Sequence, residues 1–357
     1  MIVDEARAEF PVLERLAYLN AGTNGPLARR TVEAMAAQER TDLEGGRGGR
    51  AYFDGVLALR DEVRAKLAGT VGAPVENLAL ATSTTNGCNI VLAGLGLTDD
   101  DDVVTTDGEH FGLVGALAVS PARVRVAKVR DLPPDEALDV LLAEVTPRTR
   151  LFALSDVCWI TGNRFPAAEL REATGLPVLV DGAQSAGATA VDATRFDFYA
   201  FSGQKWLCGP DSTGGLVVMD PERLAIAAPS YLAQESYEGL EFVPRPGAER
   251  FDPGWTPAAS LAGLSAALDL APEGRFERAA EMTARCRELL AERFDLLTAP
   301  GQATLVSFKV EGDSAELVKR LYEDGVVVRD IPKLGWIRVS CGWWTTEEDL
   351  ARLLSAL

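Results

Sequence analysis

Apolar residues recur at helical spacing through residues 29–39 and 55–68, with charges on the opposite face. Short apolar runs then follow one another at 78–80, 103–104, 124–129, 151–154, 178–180, 198–201 and 215–219. Each is too short for a stable helix and apolar on both faces. That is the pattern of strands covered on both sides, as in a mostly parallel sheet. Helices between the runs would supply the cover, which predicts an α/β architecture. After about residue 257 the texture changes. An amphipathic helical stretch at 275–294 leads into alternating segments: strand 303–310, helix 314–324, strands 326–329 and 336–340, and helix 346–357. The expected division is a large domain over 1–257, including an N-terminal segment, and a small α+β domain over 258–357. The patch Gly45-Gly46-Arg47-Gly48-Gly49-Arg50 reads as a loop.

Composition narrows the function classes. Thirty-five Lys+Arg against 53 Asp+Glu leave a net charge of −18, which repels nucleic acid and anionic lipid. No run of about 18 apolar residues is present, so no membrane-spanning helix is expected. The acidic start Met1-Ile2-Val3-Asp4-Glu5 lacks the features of a signal peptide, and the expected location is cytoplasmic. The five cysteines, at 88, 158, 208, 286 and 341, form no CxxC pair, which suits a reducing compartment and neither a disulfide framework nor a zinc site. His110 is the single histidine. That excludes multi-His metal sites, and no metal is expected. Catalysis must then rest on other side chains or on a cofactor.

Among six lysines, Lys66, Lys128, Lys309, Lys319 and Lys333 read as solvated charges on helices, strands or loops. Lys205 differs. It lies in Phe201-Ser202-Gly203-Gln204-Lys205-Trp206, just after an apolar strand, and strand ends of α/β sheets are where ligands bind. Apolar and aromatic neighbours desolvate an amine there, lowering its pKa and freeing it as a nucleophile toward an aldehyde. Twenty-four residues earlier, Asp181 ends the run Val178-Leu179-Val180-Asp181-Gly182-Ala183-Gln184. A carboxylate at the end of a buried strand needs a cationic partner, and a protonated pyridine nitrogen is one. Taken alone, Asp181 reads as a capping residue; beside Lys205 it reads as a cofactor contact. Ala81-Thr82-Ser83-Thr84-Thr85-Asn86-Gly87-Cys88 places hydroxyls and free N–H groups where a helix opens, a cradle for phosphate. His110, after the 103–106 strand, is placed to stack on an aromatic ring.

Together, Thr84-Thr85-Asn86-Gly87, Glu109-His110, Asp181-Gly182-Ala183-Gln184 and Ser202-Gly203-Gln204-Lys205 resemble class V aminotransferases of pyridoxal-phosphate (PLP) fold type I, over nearly the whole chain. The resemblance implies Lys205 as the Schiff-base lysine, Asp181 on the pyridine nitrogen, Gln184 on the ring oxygen and His110 stacked on the ring. It also implies phosphate contacts from Thr84, Thr85, Ser202 and Gln204. The family usually carries His before the lysine; Gln204 departs from that, but its amide can still donate. Family members are homodimers with active sites at the interface. The segment Arg250-Phe251-Asp252-Pro253-Gly254-Trp255-Thr256-Pro257 resembles the one that reaches the neighbouring subunit's phosphate, with Thr256 as the contact.

Within the class, cysteine desulfurases carry a catalytic cysteine in a loop after the strand that matches 325–329. Here Arg329-Asp330-Ile331-Pro332-Lys333-Leu334-Gly335-Trp336 leaves no room for it. This shortened loop, with Tyr18-Leu19-Asn20-Ala21-Gly22, Trp159-x-Thr161-Gly162 and Trp336-Ile337-Arg338-Val339-Ser340-Cys341, looks most like the cystine/cysteine C–S lyases. That likeness implies Arg338 as the clamp on the substrate α-carboxylate, with Asn20 and Ala21 also at the substrate. Asp156, Trp159, Tyr231 and Trp255 are candidate pocket residues. The expected reaction is β-elimination on cystine or another L-cysteine derivative, with Lys205 removing the Cα proton and pyruvate, ammonia and a sulfur product released. A class V aminotransferase or epimerase shares the first proton transfer, and a non-catalytic PLP-binding partner of sulfur transfer is the reading from another class.

Overall fold

The computed structural model describes residues 2–357. Helix α1 (Val3–Ala8) and strand β1 (Ala17–Tyr18) precede two long helices, α2 (Arg29–Gly45) and α3 (Arg50–Val71). Strands and helices then alternate through β2 (Leu78–Leu80), α4 (Thr84–Gly94), β3 (Asp102–Thr106), α5 (Phe111–Val119) and β4 (Arg123–Ala127). The alternation continues with α6 (Ala137–Ala143), β5 (Thr149–Ser155), α7 (Ala167–Thr174), β6 (Val178–Asp181), β7 (Phe198–Ser202) and β8 (Gly214–Val218). A hairpin of β9 (Gln234–Glu238) and β10 (Glu241–Pro244) leads to helices α8 (Ala258–Leu270) and α9 (Arg275–Ala291). The chain closes with β11 (Leu305–Lys309), α10 (Ser314–Glu323), β12 (Val326–Val327), β13 (Arg329–Ile331), β14 (Trp336–Ser340) and α11 (Glu347–Ala356).

All seven apolar runs become strands of one sheet, ordered β2-β8-β7-β6-β5-β3-β4. Only β8 runs against its neighbours, so the sheet is mostly parallel, as its apolar pattern predicted. The two-residue period of a strand sends alternate side chains to opposite faces. Val104, Phe152, Leu154, Val178 and Val180 join Leu67 and Tyr199 on one side. Val103, Leu151, Ala153 and Leu179 join Val91 and Leu216 on the other. Both faces are therefore core, and polar residues are left to the strand ends.

Several expectations need correction. The 124–129 run was expected to be buried, but β4 is an edge strand paired only with β3, and Val124 and Val126 are 38% and 41% exposed. Its outward arginines already hint at this, since Arg125 pairs with Glu144 at 2.7 Å. Lys66 is not a free solvated charge: it bridges Glu62 and Asp269 at 2.9 and 2.6 Å, tying α3 to α8. The glycine-rich patch shrinks to residues 46–49 because α2 runs to Gly45, where Gly46 ends it at φ 72°.

Two further features position the site. Asp252, after the hairpin, is buried and accepts from Arg60 and Arg64 of α3 and from the Leu80 N–H of β2. The N-terminal segment crosses to the three-stranded sheet β11-β14-β13: β1 pairs with β12, and the Ser340 N–H donates to the Leu19 carbonyl at 2.8 Å. That crossing lays residues 20–23 beside Arg338. No helix among the described residues is long and apolar enough to cross a membrane.

Candidate active site

The parallel strands β3, β5, β6 and β7 finish at Thr106, Ser155, Asp181 and Ser202, and helix α4 opens at the same end of the sheet. Asp181 is 4% exposed. One carboxylate oxygen accepts from the Ala183 N–H at 2.9 Å, and no Lys or Arg among the described residues pairs with it. A bare buried carboxylate is costly, so the strand end holds a place for a cation.

Lys205 follows β7 through Gly203 and Gln204. Burial holds its amine below the ordinary lysine value; nearby Asp181 opposes that shift and Arg338 adds to it. The result is an amine readier to act as a nucleophile than a surface lysine. Gln204 beside it leaves its amide oxygen buried and without a partner.

Helix α4 is capped by Ser83, whose hydroxyl accepts from the Asn86 N–H at 3.1 Å. Thr84 is joined to Ser202 twice, hydroxyl to hydroxyl at 2.7 Å and N–H to hydroxyl at 3.0 Å. Thr84, Thr85 and Ser202 thus gather hydroxyls at the positive end of a helix, an arrangement suited to a phosphate.

His110 caps α5 by accepting the Gly112 N–H on Nδ1 at 3.1 Å, which puts the proton of the neutral ring on Nε2. Burial and the charge of Lys205 lower its pKa, so it is neutral at pH 7. Trp159 meets the ring edge-on at 5.3 Å between centroids. Glu109, the residue before His110, for which sequence reasoning assigned no role of its own, is buried. Its carboxylate accepts from the Thr106 hydroxyl (2.6 Å), the Ser155 hydroxyl (2.5 Å) and the Ser155 N–H (3.0 Å). Burial raises its pKa to about 7; the donors pull the other way, and Asp181 adds to the rise.

Arg338 is 2% exposed on β14, with Nη1 donating to the Trp159 carbonyl at 2.8 Å and Nη2 to the Thr23 hydroxyl at 3.4 Å. It has no acidic partner among the described residues, its Nε is unpartnered, and burial, with Arg329 nearby, brings its pKa down to about 10. Arg329 stands directly opposite Arg338 in the β13–β14 register, hence on the same face. The sequence reading missed it; the signal was an arginine on each strand of one hairpin. Asn20 bridges to Ser340 and accepts from Thr23, and Ala21 is buried next to it. A Cβ on Gly22 would lie 2.8 Å from Arg338 Nη2, so the turn is packed onto the guanidinium.

Not every expected pocket residue joins this group. Asp156 pairs with Arg164 at 3.0 Å and lines a groove of about 660 Å³ that contains none of Lys205, Asp181 and Arg338. Thr256 and Trp255 sit with Tyr52 and Phe53 in another depression, and Tyr231 packs edge-on to Phe53. In contrast, Trp159 touches both His110 and Arg338.

A buried anion lacking a cation, a desolvated amine and a hydroxyl-lined helix start form a donor set that fits PLP, with its pyridinium, aldehyde and phosphate. Comparisons with known proteins agree. The aminotransferase class-V family profile matches residues 18–353. Isopenicillin N epimerase of Streptomyces clavuligerus is 31% identical, over 99% of this chain and 97% of that protein. A probable cysteine desulfurase of Xylella fastidiosa (strain Temecula1) is 28% identical, over 99% and 94%. The solved complex of the cystine C–S lyase C-DES with cysteine persulfide superposes with a TM-score of 0.90 at 30% identity, over 97% of this chain and 98% of that one. A lysine-to-alanine variant of C-DES, with glycine covalently linked to its PLP cofactor, gives 0.89 at 30% identity, over 98% of each chain. The chain belongs to the aminotransferase class-V family, and it is a pyridoxal-phosphate enzyme of fold type I.

Proposed function

We propose that this enzyme is a C–S lyase, eliminating a sulfur leaving group from Cβ of cystine or another L-cysteine derivative to give pyruvate, ammonia and a sulfur product. One observation carries the choice over desulfuration. The turn between β13 and β14 has no thiol, and all five cysteines are buried. Burial pushes the thiols of Cys88, Cys158 and Cys208 up, away from the thiolate needed to take a sulfur atom. Sulfur must then leave with the product.

In this reading Lys205 would hold the cofactor through its aldehyde, and its freed amine would take the proton from Cα of the substrate. Asp181 would keep the pyridine nitrogen protonated, Gln184 would donate to the ring oxygen, and His110 would stack on the ring. Thr84, Thr85, Ser202 and Gln204 hold the phosphate, joined by Thr256 from a second subunit of a homodimer. When bound, the cofactor supplies an electron-withdrawing ring that makes the Cα proton removable. Arg338 clamps the α-carboxylate, with Asn20 and Ala21 lining that end. Arg329 offers a second cation on the same face, which suits a substrate with two carboxylates, as cystine has. The division into domains 1–257 and 258–357 belongs to the same proposal, with Lys205 on the first and Arg338 on the second.

The epimerase relative favours a second reading, inversion at Cα, which needs the same proton removal. The test is incubation of the holoenzyme with cystine and no keto acid. One pyruvate per cystine, with a persulfide product, is expected. Inversion of Cα without pyruvate, or turnover only with a keto-acid acceptor, would refute the lyase.

A further inference from the structure

Gln184 lies three residues past Asp181, and its buried amide has two fixed neighbours. Its oxygen accepts from the Trp206 indole N–H at 3.0 Å, and its nitrogen donates to the Gly22 carbonyl at 2.9 Å. An indole N–H can only donate and a backbone carbonyl can only accept. Turning the amide over would set donor against donor at one end and acceptor against acceptor at the other. Both Gln184 and Trp206 are buried, at 4% and 3% exposure, so water cannot relieve that mismatch. One orientation is therefore enforced, and it leaves a single amide N–H free.

We propose that Trp206 is a positioning residue for the cofactor: its indole N–H locks the Gln184 amide so that the ring oxygen meets an N–H and never the amide oxygen. The inference rests on the proposed contact between Gln184 and the ring oxygen. Trp206 is the residue after Lys205, so one short segment would set both the lysine and the orientation of the amide. The link continues beyond Gly22, whose N–H donates to the Ser340 hydroxyl at 3.2 Å on the strand that carries Arg338. A donor to the ring oxygen stabilises it as an anion and competes for it with the neighbouring cofactor–lysine nitrogen. That nitrogen then releases its proton at lower pH than it would without the donor.

The readout is the pH titration of the visible absorption bands of the holoenzyme, independent of turnover. Trp206→Phe removes the N–H. Site-specific replacement of the indole by isosteric benzothiophene removes it without opening a cavity, which covers the case in which the Phe variant folds poorly. Both are expected to raise the chromophore's pKa by roughly one unit, a tenfold change in the protonation equilibrium. Gln184→Leu should raise it similarly, and combining Gln184→Leu with either change should add little, since the two groups act as one unit. A wild-type titration in both Trp206 variants, with a shifted one in Gln184→Leu, would overturn the positioning role and leave the Gln184 contact standing. No shift in Gln184→Leu would remove the contact itself, and the proposal with it.

Discussion

Replacing Glu109 by Gln should change how stability depends on pH, by an amount that the structure sets. β3 and β5 are paired only as far as Val104 and Phe152. Beyond that point the Glu109 carboxylate joins Thr106 at the end of one strand to Ser155 at the end of the other. Burial raises its pKa from 4.5 to about 7. The folded state therefore binds the proton more tightly than the unfolded chain does. The resulting stabilisation is complete below pH 4.5 and is lost as pH rises through 7. A shift of about 2.5 units corresponds to roughly 3 kcal/mol. The amide in Glu109→Gln cannot titrate, yet its carbonyl can keep the Ser155 N–H while the Thr106 hydroxyl rotates to accept from its NH₂ group. Urea unfolding of the cofactor-free protein at pH 5, 6, 7 and 8 isolates the effect, because other groups cancel in the difference between the two proteins. The variant is expected to gain about 2.5 kcal/mol on the wild type between pH 5 and pH 8, most of it before pH 7.5, the rest of the shift falling below pH 5. A gap that stays constant across that range would refute the reasoning, since it would mean that Glu109 keeps its unfolded pKa.

Asp252→Ala leaves the buried guanidiniums of Arg60 and Arg64 without their shared carboxylate and orphans the Leu80 N–H. A loss of roughly 3–5 kcal/mol in unfolding free energy is expected, and less than about 1 kcal/mol would contradict the burial argument. Arg338→Lys keeps a charge but gives up the planar two-point clamp; kcat/KM should fall by roughly 10- to 100-fold, and an unchanged value would move the carboxylate site elsewhere. Because burial lowers the Lys205 pKa from 10.5, more of its amine is neutral at any given pH than in a surface lysine. The rate of recombination of the cofactor-free protein with PLP should therefore level off below pH 10.5; a rate still climbing through that pH would count against a desolvated amine.

The strands were legible because each buried one is a short run apolar on both faces, and Asp181 and Lys205 were legible because each stands just past such a run. Helix α8 was not. Its sequence, AASLAGLSAALDL, is apolar almost all round and packs against both α2 and α3, so it has no polar stripe to mark a period. The β9–β10 hairpin escaped for the opposite reason: its residues are largely exposed and carry no buried face. Within the site, what the sequence hid was pairing at a distance. Glu109 gains its meaning from Ser155, 46 positions on, and Gln184 from Trp206, 22 positions on. Arg338 stood out by its apolar neighbours Ile337 and Val339, whereas Arg329 acquires a role only once the hairpin register sets it opposite.

That register bears on how a chain of net charge −18 could attract the amino-acid substrate proposed for it. Lys205 lies within the fields of Asp181 and Arg338, and Arg329 within that of Arg338, so three cations gather at this end of the sheet although the chain as a whole is acidic. Arg338 shows the energetic consequence. Burial with no carboxylate partner, and a second arginine across the strand, bring its pKa from 12.5 to about 10. The displacement corresponds to roughly 3 kcal/mol of unfavourable charge burial, yet the group stays ionised at pH 7. A carboxylate arriving at Nη1 and Nη2 removes that cost, while an amine substrate without a carboxylate would not. The fold therefore holds the guanidinium already dehydrated and oriented by Trp159 and Thr23, so that binding need not spend free energy on arranging it. With Arg338 as the proposed carboxylate clamp, a preference for α-amino acids would follow from that one unpaired arginine before any contact with the substrate side chain is made.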